Sequence, residues 1–467
     1  MARREPVRKK KNINDCEENK NNQEIKKNKT ELPKKNRELL ELLKSNGIDP
    51  EAIENTDILV MQEIREEFTE LPDDRDPSYI TYNLADVLLI MLLATICNCN
   101  TWEEIEEFGV GHKEWLNTFL NLKGGIPPTD DTYRLISLRT NMEEMYAAVI
   151  LLLIQKTEAA LSLVNQDTAA EPEYPDVIAC DGKVSRGSGR NESASEENSK
   201  PLNTLSAYSV DRGFNLGQTF IDEKTNEIPE LPKLLRKLNI TGSIITCDAL
   251  NTQPETAQAA VDGGAMYVMA VKENRKTLYG DLEAYFAEDF EDSVKNLTYM
   301  STEEKEHGVL VKREYYFSTY ADWVYGHEEW PDLTAIGMVR RTVMNKNPEK
   351  GPTIETRYYI CGGINDPKHF AHSVRNHWKI ENSLHWMLDF TFKDDANKTM
   401  VGSGSKELHL LKQAAMAILK AAKVLYKPYF SMNRIRTKIC HSFEIEIMRV
   451  LSILDLDRLI EANTKPT

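Results

Sequence analysis

Cysteine is scarce in this 467-residue chain: seven residues, at 16, 97, 99, 180, 247, 361 and 440, with no C-x-x-C spacing. That pattern excludes a disulfide-stapled secreted scaffold and a cysteine zinc ribbon, and it leads to the expectation of a reduced, cytoplasmic compartment. Long apolar runs are also missing. The longest, Val87–Cys97 and Ala147–Ile154, are too short to span a bilayer and read as buried core helices, so no membrane partner is expected. Met1–Asn12 is charged and lacks the apolar stretch of a signal peptide. Positive charge is in deficit as well. The net charge of −16 argues against a protein that coats nucleic acid without selectivity. It leaves room for a basic groove on one face, and for a site built from carboxylates.

Hydrophobic residues make up 41% and charged residues 28%, ordinary values for a globular protein. The length allows two or three domains. Residues 1–37 hold 13 Lys/Arg against 6 Asp/Glu, a basic arm ahead of an acidic body. Such an arm is either a solvated disordered terminus or a tail that touches phosphate.

Periodicity and turn signals divide the rest. Residues 1–67 read as a largely disordered basic arm with short helices near 36–45 and 59–68. Residues 68–167 read as a helical domain, in which Thr101 and Glu104 have the form of a capping box and 143–163 is a long helix. After an acidic linker, residues 174–290 alternate strands with helices. The strands are expected at 176–183, 205–210, 214–221, 243–248 and 267–272, with Asp211-Arg212-Gly213 as a hairpin turn. Residues 291–362 form a β-rich stretch, 363–400 carry a long helix over 367–389, and 401–467 are helical, with one terminal helix over 443–462. The fold class is α/β: a mixed sheet with flanking helices.

Two acids end strand-like runs. Asp181 follows Val177-Ile178-Ala179-Cys180, and Asp248 follows Ile244-Ile245-Thr246-Cys247. In open α/β sheets catalytic groups collect at the carboxyl ends of strands. If the two strands are neighbours, two carboxylates meet, and like charges at close range resist ionisation unless a cation joins them. Mg²⁺ or Mn²⁺, bound by oxygen ligands, fits that need. A wheel at about 100° per residue over the 371–390 helix puts Arg375, Trp378, Glu381, Asn382, His385 and Asp389 on one face and Ile380, Leu384, Met387 and Leu388 on another. Glu381 then supplies a third carboxylate. Two cations in such a triad serve phosphodiester chemistry. Lys183 and Arg375 would neutralise phosphate, and Trp378, His385 and Trp386 would contact or stack an unpaired base. Arg186, Lys272, Arg275, Arg357 and Asn382 are further candidate DNA contacts. By spacing alone, each Asp could equally be a turn residue and Glu381 a solvated side chain. His369, His372, His377 and His385 lack the spacing of a structural zinc site.

Longer motifs narrow these alternatives. Trp102-Glu103-Glu104-Ile105-Glu106-Glu107-Phe108-Gly109, Ala179-Cys180-Asp181-Gly182-Lys183, Asp222-Glu223-Lys224-Thr225-Asn226-Glu227-Ile228, Asp248-Ala249-Leu250-Asn251-Thr252-Gln253 and His377-Trp378-Lys379-Ile380-Glu381-Asn382-Ser383-Leu384-His385-Trp386-Met387-Leu388-Asp389 stand in order along the chain. From about residue 68 to about 424 the sequence resembles the H-repeat-associated DDE transposases of bacterial insertion sequences. The resemblance implies an RNase H-like core whose triad is Asp181, Asp248 and Glu381, with two Mg²⁺ or Mn²⁺ ions. It implies double-stranded DNA with inverted-repeat ends and a target DNA as partners, and a homodimer on DNA. The alternatives are a non-catalytic DNA-binding protein derived from a transposase and a structure-specific nuclease. His377 and Leu388 stand where the broader clan's Tyr-Arg-Glu-Lys signature has Arg and Lys.

Overall fold

The computed structural model describes residues 32–50, 59–162, 173–185, 201–221, 227–287, 297–306, 308–345, 351–395, 404–427 and 429–464. Nine strands form one sheet: β1 Val177–Ser185, β2 Leu202–Ser209, β3 Phe214–Phe220, β4 Ile244–Cys247, β5 Met266–Val271, β6 Leu297–Glu306, β7 Val309–Ser318, β8 Leu333–Val343 and β9 Thr353–Gly362. Their spatial order is β3-β2-β1-β4-β5-β9-β8-β7-β6. β1, β4 and β5 are parallel neighbours, and the remaining pairings are antiparallel. The first five strands, with the helices Glu227–Lys237 and Pro254–Asp262 between them, make the RNase H-like half of the sheet.

The central strands are apolar because both faces are covered. Along β1, Val177 and Ala179 join the core of the helical layer, while Ile178 and Cys180 face the other way, against Leu231, Leu235 and Ala257 of the two flanking helices. β4 follows the same two-residue alternation: Ile245 and Cys247 share that second core, and Ile244 packs with Phe370 and Val374 of the Pro367–His377 helix. The β2–β3 hairpin turns through Gly213, whose φ of 79° suits a residue without Cβ. β9 lies antiparallel to β5, so the strand-rich stretch extends the same sheet. Its close approach needs Gly362, because a Cβ there would lie 2.0 Å from the Tyr267 ring.

The helices before β1 and after β9 share one core. Every residue of Leu84–Ile96 is buried. This helix packs against Leu59–Thr69 and against Gly404–Ala421, which in turn packs on Met142–Ser162. Met142–Ser162 is long and apolar enough to cross a membrane by length and composition. Here Met145, Val149, Ile150, Leu153 and Ala160 lie inside the shared core.

The structure departs from the sequence reading in several places. β6 escapes a periodicity reading because it is a mostly polar edge strand. Within the expected helical domain, the stretch 113–122 holds only a short helix, Lys113–Leu116. The single terminal helix over 443–462 is two, Phe443–Leu451 and Leu456–Thr464, separated by a 3₁₀ turn at Ser452–Leu454, and a further helix, Met432–His441, precedes them. The long helix over 367–389 is interrupted: Pro367–His377, then a π turn at Glu381–His385, then Trp386–Thr391. At Thr101 the hydroxyl accepts from Glu104 N at 3.2 Å, but Glu104 reaches back to Asn100 N, one residue before the N-cap.

Arg436 ties the layers together. Buried to 2% exposure, it donates to Thr391 O at 2.6 Å and Thr95 O at 2.9 Å, with its guanidinium 4.1 Å from the Phe392 ring centre. Arg436→Ala removes both hydrogen bonds and the buried guanidinium packed on Phe392, and is expected to cost roughly 3 kcal/mol. Urea unfolding followed by circular dichroism would show the lowered midpoint, and an unchanged midpoint would refute the bridging role.

Candidate active site at the ends of the β1–β4 pairing

The parallel register of β1 with β4 closes at Cys180 opposite Cys247. β4 ends there, but β1 runs on to Ser185 paired only with β2. Asp181 therefore stands where the ladder to β4 stops, within β1 rather than at its end. Asp248 is the first residue past β4. The two acids leave adjacent strands at the same level.

Glu381 enters from the π turn. Its carboxylate, that of Asp181 and the His385 ring offer ligand atoms that all lie within 4.8 Å of one another. His385 Nδ1 is 3.6 Å from Glu381 Oε2 and 3.8 Å from Asp181 Oδ2. Asp248 does not belong to that cluster. Its Oδ1 is taken up by Asn251, whose backbone N donates at 3.2 Å and whose Nδ2 donates at 3.1 Å. His377, at the arginine position of the clan signature, is half-buried against β4 with Nδ1 3.0 Å from Thr246 Oγ1. Burial lowers its pKa to about 4, so it brings no cation near neutral pH.

Burial first, then the neighbouring Glu381 and Asp248 carboxylates, push Asp181 up to about 7. Glu381 is held below the usual carboxylate range, chiefly by its hydrogen bond from His385. The residues fit a hard divalent cation: the donors are mostly carboxylate oxygens, and a cation would offset their repulsion. His385 Nε2 is buried with no hydrogen-bond partner among the described residues, an orphaned polar atom beside the two carboxylates.

The π turn is held from behind. Lys420, buried in the Gly404–Ala421 helix, donates to Ser383 O, and Asn36 Nδ2 donates to Lys420 O at 2.7 Å. Burial lowers the Lys420 amine to about 7.

Comparison with known proteins decides the family. A profile described as "Transposase DDE domain" matches residues 174–403, and one described as "DDE_Tnp_1-associated" matches residues 65–152. The "H repeat-associated putative transposase YbfD" of Escherichia coli K12 is 30% identical over 53% of this chain and 90% of its own length. The chain belongs to the DDE transposase family. The "Putative transposase YncI" of Escherichia coli O157:H7 is 29% identical over 78% of this chain and 88% of its own. Among solved structures, the piggyBac transposase synaptic complex with hairpin DNA aligns over 84% of this chain and 80% of that one, at 12% identity and a TM-score of 0.40.

The other side chains singled out for DNA contact in this DDE transposase are distributed unevenly. Lys183 is buried and ion-paired with Asp389 at 2.6 Å, so its charge is committed inside the fold. Arg375 turns away from the triad to Glu304 at 2.7 Å and Glu306 at 3.1 Å on β6. The interrupted helix explains this: a wheel drawn through 371–390 does not hold across the break. Arg357 pairs with Glu355 at 2.6 Å and lies 4.7 Å over the Trp378 ring. Arg275 bonds Gln253 and approaches the Trp330 ring. Lys272, Trp378, Asn382 and Trp386 are exposed. Arg186 lies outside the described residues. Sequence reasoning missed three neighbours. Phe390 stacks on Trp386, with ring centres 4.7 Å apart, and both are exposed. Glu227 and Asn251 lie beside the triad, and an Asp-x-x-Asn spacing after a strand was the available signal for Asn251.

The raised Asp181 pKa has a consequence for the metal-free protein. Its unfolded value is about 3.9. The native state therefore binds the proton more tightly, and this contribution to stability is full below about pH 4 and lost as pH rises through about 7. Asp181→Asn cannot ionise. It is expected to be more stable than the parent at pH 8 by at least ~1 kcal/mol, the equivalent of less than one pKa unit, with the gap closing at pH 4. Urea unfolding at both pH values in chelator tests this, and equal gaps would refute it.

Proposed function

We propose that this chain binds the inverted-repeat ends of a mobile element, cleaves them by metal-dependent phosphodiester hydrolysis and joins the freed 3′ ends to target DNA. Asp181, Asp248 and Glu381 would hold divalent cations, Mg²⁺ or Mn²⁺. The observation that carries the reading is the convergence of Asp181 and Glu381, from a sheet strand and a distant π turn, beside the strand end that bears Asp248. Membership of the family supports the same reading.

Two such ions, when bound, activate an attacking water or 3′-hydroxyl and stabilise the leaving oxygen in an in-line displacement. The chain's own residues supply position and charge. His385 holds the Glu381 carboxylate ionised. The exposed Trp378 and the stacked Trp386–Phe390 pair offer aromatic faces next to the acids, on which unpaired bases at a DNA end can stack. The resemblance implies that two copies hold two ends together.

The test uses purified full-length protein and DNA carrying the repeats that flank its gene, with Mg²⁺ or Mn²⁺. Wild type is expected to nick the ends and to join a pre-cleaved end to target DNA. Asp181→Ala, Asp248→Ala and Glu381→Ala are each expected to reduce cleavage by at least about 10³-fold while sparing end binding in a gel-shift assay. Binding without cleavage by wild type under any metal condition would favour a binding protein, and cutting without joining would favour a nuclease. A single mutant with near-normal cleavage would remove that residue from the triad.

A further inference from the structure

Asn251 is fully buried in the loop that follows β4, and it is surrounded by acid. Its backbone N and its Nδ2 both donate to Asp248 Oδ1, at 3.2 and 3.1 Å, and Nδ2 also donates to Glu227 Oε2 at 3.1 Å. The two amide hydrogens thus serve two carboxylates. The orientation is unambiguous. Flipping the amide would set its oxygen against both acids, whereas in the present pose Asn251 Oδ1 is buried without a partner among the described residues. The loop is braced further: Thr252 Oγ1 donates to Ala270 O at 2.6 Å and lies 3.0 Å from Asp248 O, and Asn274 Nδ2 donates to Ala249 O at 2.8 Å.

Glu227 is the first residue of the Glu227–Lys237 helix, where the helix dipole favours a negative charge. It lies directly over Gly182. A Cβ at that position would be 2.3 Å from Glu227 Oε1. Gly182 therefore has a steric role: the backbone next to Asp181 must be bare for Glu227 to reach Asn251. Three segments close on one another here, namely β1 after Asp181, the start of the helix and the loop after Asp248.

We infer that Glu227 and Asn251 form a clamp that fixes the side chain of Asp248, engaging Oδ1 and leaving Oδ2 for a cation. Both are positioning residues. Glu227 acts through its acceptor oxygen on Asn251, and Asn251 acts through its donors on Asp248. This rests on the reading above, in which Asp248 is a metal ligand. Hydrogen-bonded partners of metal ligands typically tune affinity or activity 10- to 100-fold when removed.

The experiment compares wild type with Asn251→Ala, Glu227→Ala, Glu227→Gln and the double alanine variant, all full length. Mn²⁺ binding is measured by calorimetry without DNA, and cleavage is measured separately on inverted-repeat DNA across a Mn²⁺ titration. Each single alanine variant is expected to weaken Mn²⁺ binding and slow cleavage by about 10- to 100-fold, with much of the cleavage recovered at high Mn²⁺. The double variant is expected to be no worse than the worse single, since both act through one contact. Glu227→Gln keeps the acceptor oxygen and is expected to stay within about 3-fold of wild type. If Glu227→Gln is as damaged as Glu227→Ala, the carboxylate charge itself matters and the clamp is wrong. An Asn251→Ala variant with wild-type Mn²⁺ binding, or single effects that multiply in the double variant, also overturns it. Should Asn251→Ala fail to fold, the Glu227→Gln and Glu227→Ala pair still decides. Wild type that binds Mn²⁺ through Asp248 but cuts no DNA sinks the transposase reading and leaves the clamp to be judged on binding. Wild type that neither binds nor cuts sinks both.

Discussion

The parallel pairing of β1 with β4, closed by Cys180 opposite Cys247, delivers Asp181 and Asp248 to one level of the sheet. Strand register has a period of two, so a slip by one residue would turn either carboxylate to the opposite face. The register is fixed by burial on both sides. Val177 and Ala179 belong to one core, and Ile178, Cys180, Ile245 and Cys247 to another. Cys180 and Cys247, the two cysteines nearest the acids, are packing residues: their thiols are fully enclosed and pushed far above the range in which they ionise. Their presence here has a packing explanation, a small apolar side chain that fits a tight sheet.

Bringing carboxylates together has an electrostatic cost, and the surroundings show how it is contained. Asp181 takes it up as a raised proton affinity, Glu381 is relieved by His385, and Asp248 and Glu227 share the donors of Asn251. A second layer of buried polar groups lies behind them. Ser185 Oγ and His409 Nδ1 each lie 3.0 Å from Asp394 Oδ2, and Gln413 links His409 to Asn215 and Gln218 on the hairpin. The Asp394 carboxyl is held well below the usual range by His409 and Lys412, against the effect of its burial. Networks of this kind add little net stability but fix one arrangement of the elements that carry them. Here they join the tail of the Glu381 helix, the end of β1 and the Gly404–Ala421 helix.

Much of the core was legible in the sequence because local signals and burial agree there. Short β-branched and apolar runs marked β1, β4 and β5, Gly213 marked the hairpin, and the two aspartates stood out because each ended such a run. The features that were not legible depend on tertiary partners. β6 carries charges because it is an edge whose Glu304 and Glu306 pair with Arg313 and Arg375. Lys183 looked like a phosphate ligand next to Asp181, yet its partner, Asp389, is 206 residues away. Nor does local sequence reveal that the glycine after Asp181 makes room for Glu227.

The interruption of the Glu381 helix illustrates why such features resist a wheel. In a regular α-helix, residues four apart are offset by about 40° around the axis. A π turn, with i→i+5 bonding, is wider, so residues four apart come closer to the same direction. Glu381 and His385 are four apart and both reach Asp181. The wider turn disturbs the regular backbone bonding, and Ser383 O is answered by Lys420. An ammonium buried to this degree is costly unless it has partners. Its place in the Gly404–Ala421 helix, against the carbonyl two residues past Glu381, therefore makes that helix a support for the site as well as part of the core. The geometry of the third carboxylate is thus set by a residue 39 positions downstream, on an element with no acidic group of its own in the site.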